Sequence, residues 1–360
     1  MKKVAVAMSG GVDSSVSALL LKEMGYDVVG ISMQLWDYSQ EEDNAGSCCS
    51  IDDLHDARRV AEAIDIPFYV LNLEQTFLKE VVDYFTASYL EGNTPNPCLK
   101  CNQTLKFEVL LKKIKGMGID YLATGHYARV SYNNERDRYV LLKGRDKWKD
   151  QSYFLFTLTQ EQMSSLIFPV GDYTKEQVRD MARKMGIKVA DKRDSQDICF
   201  IPDGDYHNFI SERMGEDSPG EIVDRNGRVV GMHSGLFRYT VGQRRGIGIS
   251  AREPLYVLEV DRLNNRLVVG EEEGLTSCGL MACDLNWIGL TALNSPIKVE
   301  SRIRYRHTGV NSLVTPLNGN EEVDVRFVDA QRAVTPGQAV VFYDGDEVLG
   351  GGWIREPILA

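Results

Sequence analysis

The stretch KVAVAMSGGVDSSVSALLLKEMG, residues 3–25, decides the fold. Lys3 to Met8 is a short apolar run of strand length that stops at Ser9-Gly10-Gly11. Ser14 to Met24 then carries helical periodicity, with Gly25 as its stop. A strand that turns through glycines into a helix leaves the first helical N–H groups unpaired. The positive end of the helix dipole points the same way, so the turn is an anion site. The hydroxyls of Ser9, Ser14 and Ser15 add neutral donors, and Asp13 offers a carboxylate to hold Mg²⁺ against phosphate. No Gly-Lys-Ser/Thr closes the loop, so this is not the Walker pattern. A Gly-Gly turn with a serine N-cap is the plain alternative.

Outward from this unit the alternation continues. Val28 to Met33 and Pro67 to Leu73 read as strands, and so does Tyr121 to Thr124 before Gly125. Asp52 to Ile64, Phe77 to Leu90, Leu105 to Lys115 and Thr174 to Met185 read as helices. Strands alternating with helices predict an α/β fold with a doubly wound parallel sheet covered on both faces. From about Gly220 the pattern changes to short alternating runs between Gly, Asn, Asp and Pro turns. These are Leu255 to Val260, Arg266 to Val269, Lys298 to Tyr305, Glu322 to Phe327 and Ala339 to Tyr343. They predict two smaller, mainly antiparallel β modules with a break near residue 275. The expected domains are therefore 1–205, 206–274 and 275–360.

Composition sets outer bounds. A chain of 360 residues suits two or three domains, and 43% hydrophobic with 26% charged residues is ordinary for a soluble globular protein. No apolar run approaches bilayer length, and the apolar start before Ser9 is too short for a signal peptide, so a cytoplasmic location without membrane association is expected. Seven cysteines without an export signal argue for reduced thiols, not a disulfide scaffold. The net charge of −11 makes a repulsive far field for nucleic acid, which only local basic patches overcome.

Three cysteines stand out: Cys98 and Cys101 in Asn96-Pro97-Cys98-Leu99-Lys100-Cys101-Asn102, and Cys199 in Ile198-Cys199-Phe200. A Cys-x-x-Cys can be half of a structural zinc site, yet no second pair of Cys or His stands at a suitable distance. No side-chain metal site is assigned. Lys100 and Lys106 would favour the thiolate form needed for sulfur chemistry. The adjacent Cys48 and Cys49 read as packing or incidental thiols.

The string SGGVDSS directly after the first strand resembles the pyrophosphatase-loop family of adenylating enzymes, which cleave ATP between its α and β phosphates. More specific strings follow in order: Thr94-Pro95-Asn96-Pro97-Cys98 to Asn102 with Lys106-Phe107, and Ala123-Thr124-Gly125-His126-Tyr127-Ala128. Next come Lys149-Asp150-Gln151-Ser152-Tyr153-Phe154-Leu155, Ile198-Cys199-Phe200-Ile201, Val241-Gly242-Gln243-Arg244 and Gln331 to Gln338. Together they resemble, end to end, the bacterial tRNA-specific 2-thiouridylase family.

That resemblance implies an adenine nucleotide α-hydrolase-like sheet and a last module like a β-barrel. It also implies a sulfurtransferase using ATP and Mg²⁺. The C2 oxygen of the wobble uridine (position 34) of tRNA is adenylated, AMP and pyrophosphate are released, and sulfur replaces the oxygen. In that scheme Cys199 is the persulfide carrier, loaded by a sulfur-donor protein, and Cys101 is the nucleophile that closes a Cys101–Cys199 disulfide. Ala7, Met8, Ser9, Gly10, Gly11, Val12, Asp13 and Ser14 would bind ATP, with Met33 and Gly125. His126, Lys149, Asp150, Gln151, Tyr305, Arg306 and Gln338 would contact tRNA.

Three basic stretches suit such a partner. One runs from Arg136 through Arg138, Lys143, Arg145 and Lys147 to Lys149, interleaved with Tyr139 and Trp148. Arg302, Arg304 and Arg306 alternate as if on one strand face, and Arg244-Arg245 lie in a glycine-rich turn. Three alternatives stay open. The same three thiols, Cys98, Cys101 and Cys199, could hold an iron–sulfur cluster. The loop could serve a ligase whose nucleophile is an amine. The chain could also be a non-catalytic RNA-binding protein that keeps the loop as architecture.

Overall fold

Val4, Ala5 and Val6 are all fully buried, although successive residues of a strand point to opposite faces. Both faces of their sheet are therefore covered, as an apolar run without alternation requires. The computed structural model describes residues 1–36, 51–192, 198–201, 204–215 and 218–360. These fall into two compact units.

The first unit holds Met1–Val81, Cys98–Gly204 and Asp346–Val348. Its strands are β1 (Lys3–Ala7), β2 (Asp27–Gln34), β3 (Phe68–Asn72), β4 (Tyr121–Thr124), a hairpin of β5 (Ala128–Asn133) and β6 (Arg138–Lys143), and β7 (Leu166–Ile167). The main sheet runs β3-β2-β1-β4-β7, all pairs parallel. Helix α1 (Val12–Glu23), helix α2 (Ile51–Ala63) and the helix Lys175–Lys184 join β1 in one apolar cluster through Val16, Leu20, Val60, Val178 and Ala182. The elements read from periodicity appear within one or two residues at most ends.

The hairpin β5–β6 was not legible in the sequence, where the run from Arg136 stood out only as a basic stretch suited to tRNA. In the fold Tyr132 and Tyr139 face each other across its strands at 5.0 Å, and Glu347 and Val348 pair with β6. Beyond Cys101 the expected helix is wound as a π-helix from Asn102 to Leu110 before it continues as Leu111–Gly116. Such wide turns are uncommon and concentrate near functional sites.

The second unit holds Val82–Pro97, Asp205–Gly345 and Leu349–Ala360. Strands β8 (Gly220–Val223), β9 (Val229–His233), β10 (Tyr256–Asp261) and β11 (Arg266–Gly270) form a sheet ordered β10-β11-β8-β9. Its β11–β8 pair is parallel, within a module whose pattern predicts mainly antiparallel pairing. The remaining strands are β12 (Thr276–Trp287), β13 (Ile297–Arg302), β14 (Val310–Leu317), β15 (Glu322–Arg332), β16 (Ala339–Asp344) and β17 (Glu347–Leu359). They run β12-β15-β14-β13-β16-β17, and a β12–β17 pairing closes them into a six-stranded barrel. Leu280, Val314, Val323, Val325, Val340 and Phe342 fill it. The fold is thus the expected α/β domain followed by smaller β modules, the last a barrel. Among the described residues no helix is long and apolar enough to cross a membrane.

Candidate active site

The strand order reverses between β1 and β4, and ligands of open α/β sheets bind at that switch point, beyond the carboxyl ends of the strands. The loop Met8–Gly11 leaves β1 there, and Gly125 follows β4. Gly11 is the N-cap of α1 in an extended conformation, so Val12, Asp13 and Ser14 form its first turn. Gly10 takes φ +73°, and a Cβ there would meet the Asp53 carbonyl at 2.3 Å. A Cβ on Gly125 would stand 2.7 Å from the Ser14 nitrogen. Both glycines are therefore dictated by close backbone approach. Gly10 lets the loop lie against α2 at Asp53, and Gly125 lets the end of β4 lie against the start of α1, whose first N–H groups form the kind of terminus that favours anions.

The serine hydroxyls act differently from the sequence expectation. Ser14 Oγ donates to the Gly11 carbonyl at 3.1 Å and accepts from Ser9 N at 3.2 Å. Ser15 Oγ donates to the same carbonyl at 2.8 Å. They hold the loop's shape more than they offer free donors. Asp13 also differs. Lys175 Nζ lies 2.9 and 2.8 Å from its two carboxylate oxygens, and the Tyr127 hydroxyl donates to Oδ1 at 2.7 Å. The carboxylate is thus held in an ion pair, with Tyr127 orienting it.

Tyr127 is itself clamped: Gln151 Oε1 accepts from its N–H at 3.0 Å, and Gln151 N donates to its carbonyl at 2.9 Å. Next to Gln151, Asp150 is buried and organises the turn. Its Oδ1 accepts from Gly144 N and Ser152 N, and its Oδ2 from Ser152 Oγ. Asp146 joins this turn to the helix Lys175–Lys184, accepting from Trp148 N at Oδ1 and from Lys175 N at Oδ2. The motif around Lys149 to Leu155 is thus tied to the nucleotide loop through Gln151, Tyr127 and Asp13. Tyr127 lies within a motif legible in the sequence, and Lys175 does not. One signal was present: a lysine in the first turn of a helix, behind the N-cap Thr174, opposes the helix dipole.

His126 is buried, with Nδ1 2.6 Å from Thr124 Oγ1 and ring contacts to Phe107 and Phe168. Burial first, and then the Lys106 ammonium, push its pKa well below the usual histidine range, so it is neutral at pH 7. Met33 is buried at the end of β2, and Met8 at the end of β1.

Cys98 is exposed on the helix Pro97–Cys101, and Cys101 ends that helix half-buried. Asn102 follows, donating to the Phe154 carbonyl at 3.3 Å and accepting from Lys106 Nζ at 2.8 Å, which fixes the chain beyond Cys101. Cys199 is half-buried, and its neighbour Phe200 anchors it. That ring stacks on Trp36 at 6.4 Å and meets Phe77 edge-on at 5.5 Å. Cys101 and Cys199 belong to the same unit as the loop, and both carry no disulfide. Among the described residues no group of three or more His, Cys, Asp or Glu is placed to hold a metal ion, Cys98, Cys101 and Cys199 included. Cys48 and Cys49 lie outside the described residues.

The basic patches separate into engaged and open parts. Arg136 pairs with Glu347 at 2.8 and 2.6 Å. Trp148 is 93% exposed, between exposed Lys147 and half-buried Lys149. Arg302, Arg304 and Arg306 do not share a strand face. β13 ends at Arg302, whose guanidinium lies over the Tyr343 ring and bonds Glu300, and Arg304, Tyr305 and Arg306 lie in the turn beyond. Arg244 and Arg245 are exposed, and Arg244 borders an open concavity of about 610 Å³ that Arg252 also lines. Gln338 turns inward within its unit, donating through Nε2 to the carbonyls of Thr94 (2.8 Å) and Pro95 (3.3 Å).

Comparison with known proteins covers nearly the whole chain. Residues 2–203 match the family described as tRNA methyl transferase HUP domain, residues 207–271 the tRNA methyl transferase PRC-barrel domain, and residues 277–354 the aminomethyltransferase beta-barrel domain. A protein of Geotalea uraniireducens is 54% identical, covering 99% of this chain and 96% of its own. One of Geobacter metallireducens is 54% identical over 98% and 96%, and one of Carboxydothermus hydrogenoformans 51% over 99% and 98%. All three bear the name tRNA-specific 2-thiouridylase MnmA. The domain names speak of methyl transfer, the full-length names of thiolation.

Proposed function

The chain belongs to the bacterial tRNA-specific 2-thiouridylase family, and from that premise we propose that it makes 2-thiouridine in tRNA at the expense of ATP. The observation carrying this reading is a glycine-lined loop and helix start at the sheet's switch point in the same compact unit as two half-buried cysteines, Cys101 and Cys199. Thiols are what sulfur insertion requires and what methyl transfer does not.

Backbone N–H groups at the start of α1, with Gly10, Gly11 and Gly125 keeping side chains out of the way, receive the triphosphate of Mg²⁺-bound ATP. Ala7, Met8 and Met33 border the nucleotide. The C2 oxygen of uridine 34 attacks the α-phosphorus, and pyrophosphate leaves with the electron pair of the broken P–O bond. The outer sulfur of a Cys199 persulfide attacks C2 and displaces AMP. The Cys101 thiolate then attacks the inner sulfur, so that sulfur stays on the base and a Cys101–Cys199 disulfide forms. The two electrons that reduce the transferred sulfur come from that disulfide bond formation, and a thiol reductant restores both cysteines. A persulfide-donor protein reloads Cys199.

For tRNA binding, Lys149 and exposed Trp148 supply phosphate contact and base stacking, while Asp150 and Gln151 act by holding their turn. His126, Tyr305, Arg306 and Gln338 complete the proposed set. We also propose 1–205, 206–274 and 275–360 as the functional domains.

The test is thiolation of a tRNA transcript with ATP and a persulfide donor. Cys101→Ser and Cys199→Ser should each abolish 2-thiouridine while the wild type still releases AMP in a tRNA-dependent way. Retained thiolation in either variant sinks the sulfur mechanism. Iron-free protein that thiolates tRNA excludes the cluster alternative.

A further inference from the structure

The loop between β1 and α1 contains no cation, and its Ser14 and Ser15 hydroxyls already serve the Gly11 carbonyl. A nucleoside triphosphate nonetheless brings several negative charges to this spot. The fold supplies a cation from 162 residues away: Lys175 reaches Asp13, the second residue of α1, with both ion-pair distances under 3 Å. Lys175 is buried, at 9% exposure.

Three facts make this more than a structural ion pair. Burying an ammonium with a carboxylate seldom adds stability over an apolar pair of the same size. A cation in the first helical turn also opposes its own helix's dipole. And the position is held from several sides. Thr174 and Gln177 form a capping box around the helix start, Asp146 fixes the Lys175 N–H, and Tyr127, clamped by Gln151, orients the Asp13 carboxylate. Features unfavourable for stability yet so carefully held are expected where charge develops in a reaction.

We propose that Lys175 is a catalytic residue of this site: its ammonium contacts the triphosphate and offsets the charge building on the departing pyrophosphate, with Asp13 as its positioning partner. The proposal rests on the adenylation reading above and gives it the cation the loop lacks. Lys175 transfers no proton. The bond formed is uridine O2 to the α-phosphorus, the bond broken joins that phosphorus to the oxygen bridging to the β-phosphate, and the electron pair goes to pyrophosphate.

The experiment measures AMP formation from α-labelled ATP in a single turnover with tRNA transcript, Mg²⁺ and the full-length chain. Lys175→Ala and Lys175→Met should form AMP about 100-fold more slowly at saturating ATP. Their melting curves should stay cooperative, Lys175→Met keeping the apolar stem as the conservatively packed variant. Lys175→Arg should retain within about tenfold of the wild-type rate, since it keeps the charge. Added ethylammonium should partly restore Lys175→Ala and leave the wild type unchanged, a response that a merely structural role would not give. Lys175→Met within about threefold of wild type would overturn the proposal. So would Lys175→Arg falling as low as Lys175→Met together with no ethylammonium response. Wild-type protein that forms no AMP with tRNA would overturn the adenylation reading itself, a result distinguishable from either.

Discussion

Placing alanine at Gly125 asks whether close approach of two backbones governs the nucleotide site. Gly125 has no left-handed φ, so the objection to a side chain there is steric alone. Its Cβ would stand 2.7 Å from Ser14 N, 2.8 Å from the Asp13 carbonyl carbon and 3.0 Å from Asp13 Cβ. Ordinary contact begins near 3.4 Å, so β4 and the start of α1 must part by about 0.7 Å. Neither neighbour is a flexible side-chain tip. Overpacking of this kind costs about 1–3 kcal/mol, which for a unit of this size lowers Tm by roughly 2 to 12 °C. The catalytic effect should be larger, since misplacement by about 1 Å can cost on the order of 100-fold in rate. Gly116 is the control. It ends a helix with nothing within 4 Å of its Cβ position, so Gly116→Ala should be neutral or stabilising by up to about 1 kcal/mol. Thermal melts and single-turnover AMP formation, run on both variants, read the two effects. Gly125→Ala behaving like Gly116→Ala in both assays would refute the reasoning.

Three other outcomes are expected. Phe200→Ala empties the ring from its contacts with Trp36 and Phe77, and should destabilise by about 3–5 kcal/mol while speeding alkylation of Cys199 by iodoacetamide; unchanged alkylation would detach Cys199 from that anchor. Because the folded pKa of His126 is depressed below 6.5, the unfolded chain binds the extra proton, so stability falls as pH drops below about 6.5 by up to roughly 1.4 kcal/mol per pH unit. Urea melts between pH 5 and 7.5 should show this slope reduced in His126→Asn, and an equal slope would contradict it. Gln338→Ala removes the donor to Thr94 and Pro95 and should cost about 1–2 kcal/mol. Gln338→Glu, which turns a carboxylate on two carbonyls, should melt lower still; a higher melt than Gln338→Ala would show that this contact does not hold Thr94 and Pro95.

Residues 3–25 alone were enough to place a parallel-sheet strand, a glycine turn and a buried helix, because each follows from local periodicity and glycine chemistry. The same local rules announced the later β modules. They failed at the β5–β6 hairpin, whose basic residues hid a tyrosine pair formed only across strands, and at Arg304 and Arg306. There the alternation continued in sequence after the strand had stopped at Arg302. The motifs around Cys101 and Cys199 singled those residues out, but Phe200's aromatic anchor was not legible, since Trp36 and Phe77 are distant in the chain.

The nucleotide loop shows the division most clearly. Its glycines and serines determined that an anion could bind beside a helix start, whatever the rest of the chain did. What Asp13 does there was decided only by tertiary structure. A carboxylate alone reads equally as a metal ligand or an ion-pair partner, and the choice depends on which group the fold delivers within 3 Å. Here it is Lys175, carried in by a helix that packs against α1, with Tyr127 beside it. Electrostatic roles depend on distances between residues far apart in sequence, and those distances exist only once the chain has folded.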